Sequence, residues 1–167
     1  MKLLFTLILS FATGAVFSQA SRPEPAYKRF PTLPPVDLLL GDSATWYKKA
    51  AIPKKKPVFL MLFSPDCSHC QQTAEELIAH KEELKDLHII MATMHPLTQM
   101  NDFVRKYGLG QLPNLTVGKD VYYTLSGFYE IKHLPYMAFY NKKGDLISVF
   151  EGGLPIPKVL GIFKDHK

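Results

Sequence analysis

Cys67 and Cys70 are the two cysteines of this 167-residue chain, and two residues separate them. A disulfide between them would close a very short loop, and such loops restrict the unfolded chain least. A chain of this length can bury most of its surface without a cross-link. The pair is therefore a poor structural disulfide, and its spacing indicates thiol–disulfide chemistry.

The elements around the pair predict different roles for the two thiols. Residues 58–63 (VFLMLF) are a continuous run of apolar β-formers, which predicts a central strand buried on both faces. From Ser68 to about Lys85, apolar residues recur at helical spacing. Cys67 would lie near the N-cap of this helix, where unpaired N–H groups and the helix dipole favour a thiolate. We therefore expect Cys67 to be the nucleophile and the more buried Cys70 to resolve the mixed disulfide.

Two neighbours could adjust the redox properties of the pair. A protonated His69 would stabilise a thiolate and make the pair more oxidising. Asp66 would act in the opposite direction if its carboxylate pointed at Cys67. Together they predict a reduction potential between that of a strong reductant and that of a strong oxidant.

Two further interpretations use the same cysteines. A structural zinc site needs four ligands, and the chain has no second cysteine pair. His69, His95 or His133 could complete a Cys2His2 set, so a binding module that holds a metal stays open as an alternative. A thiol peroxidase would need Thr-x-x-Cys, and the sequence has Ser64 in the threonine position.

The remaining pattern predicts a second strand, a second helix that stops at Gly108, a β-hairpin and a last helix. The order βαβα followed by ββα predicts an α/β protein with a central mixed sheet flanked by helices. These elements cover residues 87–93, about 96–107, 136–140 with 146–150, and about 157–164.

The N-terminal residues predict export. Residues 3–17 are almost wholly apolar, and the small residues at 18–20 predict a signal peptide over residues 1–20 that is cleaved before Ser21. The apolar run is shorter than the ~20 residues that span a bilayer, and an uncleaved N-terminal anchor is the alternative. Export points to the bacterial periplasm, where disulfides persist.

After the signal peptide, residues 21–43 read as a Pro-rich leader on or before the domain, and residues 44–167 as that domain, which opens with a short helix around residues 44–51. The net charge of +5 comes mainly from dispersed lysines, which form either a surface for acidic partners or anionic lipid, or a solvated face. No basic stripe is interleaved with aromatic residues, so nucleic acid is not an expected partner. We expect a monomer without a cofactor.

Two segments carry a family resemblance. Residues 58–77 (VFLMLFSPDCSHCQQTAEEL) resemble the active-site segment of the thioredoxin superfamily, and residues 126–150 resemble the second signature of its TlpA/ResA-like branch. The resemblance covers roughly residues 44–164. It implies a thioredoxin fold and an exported thiol–disulfide oxidoreductase, with protein thiols or disulfides and an upstream redox donor or acceptor as partners.

The resemblance also assigns further site residues. The cis proline that faces the cysteine pair in this family maps to Pro135, preceded by Leu134. We expect both residues, together with Pro65 and Asp66, to contact the substrate.

The sequence departs from the thioredoxin pattern at two positions. Asp66 stands where thioredoxins usually carry Trp, and Met61 stands where they carry a buried acid. A buried carboxylate would accept the proton of the resolving thiol. Its absence predicts slower resolution of the mixed disulfide, or proton transfer through water or Glu130.

Overall fold

The buried strand before the cysteine motif lies in the middle of the sheet. In the computed structural model, which describes residues 24–166, strand β3 (Val58–Leu62) is parallel to β4 (His88–Thr93) and antiparallel to β6 (Tyr136–Tyr140). Every residue of these three strands is buried. Continuous apolar runs produce this arrangement because helices cover both faces of the sheet.

Four more strands extend the sheet on both sides. They are β1 (Asp37–Leu40), β2 (Trp46–Lys48), β5 (Leu115–Lys119) and β7 (Leu146–Glu151), and the spatial order is β2-β1-β5-β4-β3-β6-β7. Strand β7 forms the expected antiparallel hairpin with β6.

Among residues 24–166, five α-helices flank this sheet, and the sheet separates the core into two layers. The helices are α1 (Ala26–Arg29), α2 (Ser68–Ala79), α3 (Leu97–Lys106), α4 (Thr124–Tyr129) and α5 (Ile156–Lys164). Helices α2, α3 and α5 pack on one face, and α4 packs on the other with Tyr27 of α1. The expected thioredoxin fold, a mixed sheet flanked by helices, is confirmed.

The prediction of a helix around residues 44–51 is wrong. Residues 46–48 form strand β2, and Lys49–Ala51 form a single 3-10 turn. Asp42 explains the difference, because its Oδ1 accepts the N–H groups of Ala44 and Thr45 and closes a tight turn between β1 and β2. Residues 37–40, within the expected leader, thus contribute strand β1 to the sheet.

The structure also shortens one predicted helix and shows elements in a segment where none was predicted. Helix α2 ends at Ala79, six residues before the expected end, and turns follow it. Residues 110–131, which gave no clear pattern, contain β5 and α4. Gly118 of β5 allows β1 to approach closely, since a Cβ there would lie 2.7 Å from Leu38 Cβ.

The predicted signal peptide lies outside the described residues. Within residues 24–166, no helix has the length and apolar character to cross a membrane.

Candidate functional site

Cys67 caps the N-terminus of α2. Its backbone is extended, and its Sγ accepts the backbone N–H of Cys70 at 3.4 Å. Ser64 shapes the turn that leads to this cap, because its carbonyl oxygen accepts the N–H of Cys67 and its Oγ accepts the N–H of Asp66. Cys67 is partly exposed, and its sulfur lies at the positive, N-terminal end of a twelve-residue helix.

Cys70 lies one turn further along α2 and is inaccessible to solvent. Burial is the main cause that raises the pKa of its thiol well above the usual range, and the hydrogen bond with Cys67 acts in the same direction. The two cysteines thus have the asymmetry that the sequence predicts, with a partly exposed sulfur and a buried one.

A row of methionines crosses the sheet on the face that packs against Cys70. Met61 of β3 is opposite Met91 of β4 and Met137 of β6, and all three are fully buried in the same core cluster as Cys70. A thioether is only a weak hydrogen-bond acceptor and holds no proton at neutral pH. Met61, which stands where thioredoxins carry a buried acid, therefore has an apolar neighbour on each adjacent strand.

The loop before β6 contacts the sulfur of Cys67. The Sγ of Cys67 lies 3.5 Å from the carbonyl oxygen of Leu134, and the peptide bond between Leu134 and Pro135 is cis. The carbonyl oxygen of Pro135 accepts the N–H of Gly152, which follows β7. The fold thus joins residues far apart in sequence around one sulfur atom.

His69 is exposed and faces the segment before α5. A Cβ on Gly153 would lie 3.4 Å from Cδ2 of His69, which places the imidazole against this glycine. The same segment is tied to α2, because Glu76 Oε2 accepts the N–H of Ile156 at 2.8 Å. These contacts place the imidazole over the junction between α2 and α5.

Pro65 and Asp66 lie on the opposite side of the motif. The carbonyl oxygen of Pro65 accepts a hydrogen bond from Nε2 of Gln71 at 2.8 Å. Asp66 is exposed. Both residues border a groove of about 500 Å³ between the start of α2 and helix α3. The α3 side of this groove is formed by Gln99, Asp102, Phe103, Arg105, Lys106 and Tyr107.

Three other candidates are dispersed. Glu130 is an exposed residue that ends α4, and no hydrogen bond joins it to Cys70 in the described part of the chain. His95 Nδ1 contacts Gln99, and the backbone N–H of the exposed His133 donates to Glu151. No group of three or more His, Cys, Asp or Glu residues between 24 and 166 could hold a metal ion.

The sequence matches a family model over most of its length. Residues 47–167 match the model described as a thioredoxin-like domain. The chain belongs to the thioredoxin-like family.

Solved structures similar to this thioredoxin-like chain share its fold at low sequence identity. One is a secreted disulfide oxidoreductase of Mycobacterium tuberculosis homologous to E. coli DsbE, with 19% identity, 75% of this chain and 92% of that chain covered, and a TM-score of 0.64. Another is the exposed lipoprotein thioredoxin Etrx1 of Streptococcus pneumoniae, with 23% identity, coverages of 75% and 96%, and a TM-score of 0.56. StoA of Bacillus subtilis has 14% identity, coverages of 79% and 98%, and a TM-score of 0.60. A comparison with curated proteins finds no match.

Three residues of the thioredoxin-like site escaped the sequence analysis. Met91 and Met137 complete the methionine row, and Glu76 fixes the start of α5. Met91 lies in the apolar run that predicts a strand over residues 87–93, but only the observed strand register places it opposite Met61. Glu76 gave no signal, since its partner is 80 residues away.

Proposed function

We propose that this chain is a thiol–disulfide oxidoreductase that exchanges disulfides with exported proteins through Cys67-Ser68-His69-Cys70. The observation that supports this most is the position of Cys67 Sγ at the N-cap of α2, partly exposed, with Cys70 buried one turn away. A nucleophile needs access and anion stabilisation, and both are available at this position.

In the reducing direction the reaction has two steps. The Cys67 thiolate attacks one sulfur of a partner disulfide, the partner's S–S bond breaks, and the second partner sulfur leaves as a thiolate that takes up a proton. Cys70 then loses its proton and attacks Cys67 Sγ, which releases the first partner sulfur. The partner disulfide becomes a dithiol, and Cys67–Cys70 becomes a disulfide. Oxidation of a partner is the reverse sequence.

The surroundings of Cys67 provide a docking place for the partner's polypeptide. Leu134 offers its carbonyl oxygen next to Cys67 Sγ, and Pro135 has no N–H group to occupy a neighbouring acceptor. Pro65 and Asp66 bound the site on the side of α3. We assign substrate contact to these four residues and adjustment of the reduction potential to His69.

The second step is the slow one in this proposal. Cys70 must release its proton from a core in which Met61 replaces an acid, and burial raises the pKa of its thiol. Proton release therefore depends on water that enters when a partner is bound, or on the leaving partner thiolate.

Export of the chain, and exchange with exported partners, rest on the predicted signal peptide. Two similar structures come from proteins described as secreted or exposed. A redox donor or acceptor must return the Cys67–Cys70 pair to its starting state after each turnover, because the proposed reaction consumes that state.

The reduction potential of the pair, measured by equilibration with glutathione buffers and thiol alkylation, tests the proposal. We expect reversible two-electron exchange, with loss of exchange in Cys67→Ser and an accumulated mixed disulfide in Cys70→Ser. A potential near about −270 mV would indicate a reductase, and one near about −120 mV an oxidase. Absence of reversible exchange in the wild-type chain would reject the proposal and leave the binding-module alternative.

A further inference from the structure

Six lysines from two separate segments of the chain, residues 49–56 and 142–143, line one groove at the far end of the sheet from the cysteines. The groove has a volume of about 450 Å³, and its lining contains no acidic residue. Its lysines are Lys49, Lys54, Lys55, Lys56, Lys142 and Lys143. We name these six residues the lysine groove.

The lysine groove holds an uncompensated charge. The chain has 20 Lys and Arg against 15 Asp and Glu, so six lysines exceed the whole net charge of +5. Neither of the two ion pairs in the described part of the chain involves a groove lysine. Asp145 lies close in sequence to Lys143, but its carboxylate accepts a hydrogen bond from Asn141 and forms no salt bridge with a groove lysine in residues 24–166. Like charges gathered without a counter-charge attract anions from solution.

We propose that the lysine groove binds the surface of a membrane that contains anionic phospholipid. Every basic residue that lines the groove is a lysine, which acts as a flexible point charge and lacks the planar fork that recognises a carboxylate in a peptide. Clusters of four to eight basic residues are typical of surfaces that bind anionic lipids. The apolar residues 3–17 also indicate that the chain reaches a membrane, either during export or through an anchor.

The position of the groove fits this partner. Lys54, Lys55 and Lys56 precede the N-terminal end of β3, whereas Cys67 follows its C-terminal end. A chain held at the membrane by its lysines would direct Cys67 away from the lipid, where protein partners could reach it. Membrane binding would thus leave the thiol chemistry unaffected, and it does not depend on the proposed enzymatic function.

Sedimentation of the full chain with lipid vesicles tests the proposal. Vesicles of phosphatidylcholine alone measure binding through the apolar N-terminal residues, and vesicles with equal parts of phosphatidylcholine and phosphatidylglycerol add the electrostatic contribution. We expect tighter binding to the anionic vesicles at about 0.1 M salt and loss of that difference near 1 M salt, where the Debye length falls to about 3 Å. Equal binding to both vesicle types would overturn the proposal.

Matched variants test whether the groove lysines are the ones that bind anionic vesicles. The triple variant K54Q/K55Q/K56Q should weaken binding to anionic vesicles about 100-fold, because each lysine near such a surface contributes roughly a factor of five. The control K81Q/K85Q/K164Q removes the same charge from exposed positions outside the groove and should bind like the wild type. K142Q/K143Q lies in a separate segment and tests the groove again if the triple variant fails to fold.

Two results would contradict the lysine groove as a lipid site. Equal losses in the groove variant and in the control would assign the effect to net charge. Retention on immobilised polyglutamate, without preference for anionic vesicles, would show that the groove takes an acidic polypeptide instead. Thiol exchange by the groove variants should match that of the wild type, which separates this proposal from the enzymatic one.

Discussion

The sulfur of Cys67 lies 3.5 Å from the carbonyl oxygen of Leu134, a residue that is 67 positions further along the chain. This contact joins the start of α2 to the loop before β6, so that the Cys67 sulfur has the Leu134 carbonyl oxygen on one side and the Cys70 N–H on the other. A partner segment that binds at Leu134 would therefore present its sulfur to Cys67 without a rearrangement of the fold.

The two thiols should differ in reactivity. In the reduced chain at neutral pH, iodoacetamide should modify Cys67 at least about 10-fold faster than Cys70, because Cys70 is buried and its pKa is raised. Peptide mass spectrometry over a time course measures both rates. The difference should disappear when the chain is denatured in urea. Equal rates in the native chain would show that Cys70 is accessible and would contradict the assigned roles.

Met61→Asp should accelerate resolution of the mixed disulfide. A carboxylate behind Cys70 could accept its proton, and general-base catalysis contributes about 100-fold or more. Stopped-flow release of the second thionitrobenzoate from an aromatic disulfide measures this step separately from the attack of Cys67. Met61→Leu, which keeps the site apolar at a similar volume, is the control and should leave the rate unchanged.

The rate of the second step should depend on pH, and the Met61 variants should change that dependence. In the wild type, the rate of the second step should keep rising with pH beyond the ordinary thiol range, because burial raises the pKa of Cys70. Met61→Asp should shift this rise to lower pH, at a cost in stability of about 1–3 kcal/mol for a buried polar group without a designed partner. A wild-type rate that is already independent of pH near neutrality would contradict the view that Met61 limits proton release.

His69 should make the pair more oxidising. His69→Ala should lower the reduction potential of Cys67–Cys70, with about 30 mV for each 1.4 kcal/mol of lost thiolate stabilisation. Equilibration with glutathione buffers measures the change. His166→Ala removes an exposed imidazole near the C-terminus and should leave the potential as it is. An unchanged potential in His69→Ala would indicate that the imidazole, which lies against Gly153, does not act on the sulfur.

His88 should make folding stability sensitive to acid. Its Nε2 lies 2.7 Å from the hydroxyl of Tyr47, and burial, followed by the charge of Lys56, lowers its pKa. Below about pH 6.5 the unfolded chain takes up a proton that the folded chain resists, so stability falls as pH decreases from there toward the lowered pKa. The loss is at most about 1.4 kcal/mol per pH unit.

Urea unfolding at about pH 7.5 and about pH 5.5 measures this contribution. His88→Gln keeps a hydrogen-bonding side chain for Tyr47 without a titrating ring and should reduce the pH dependence, whereas a substitution of the partly exposed His95 by Gln should not. If His88→Gln and His95→Gln showed the same pH dependence of folding stability, groups other than His88 would be its cause.

Local patterns in the sequence predicted the elements that hold the two cysteines. A run of apolar β-formers bounded by Pro57 and Ser64-Pro65 is typical of a buried strand, and the helical spacing after Ser68 predicts Cys67 at an N-cap, as the structure has them. These features depend on neighbours within a few residues. The hairpin of β6 and β7 was predictable for the same reason, since a short turn with Gly144 joins its strands.

Residues 37–51 were predicted poorly because tertiary contacts define their structure. Strands β1 and β2 are short, and within residues 24–166 β2 is a partly exposed edge strand that pairs with β1 alone. Such strands carry little periodic signal, and the Asp42 turn overrides the helical pattern expected there. The close approach of β1 to Gly118 likewise depends on a residue about 80 positions away.

The sequence by itself determined the chemistry of this protein: two thiols, their spacing, and the strand and helix that give them unequal exposure. Tertiary structure decided their surroundings. It set Leu134 next to Cys67, aligned three methionines on the face of Cys70, and gathered six lysines from two segments into one groove. The reason is physical, because strand pairing and register bring distant residues together, whereas periodicity along the chain records only which face of an element is buried.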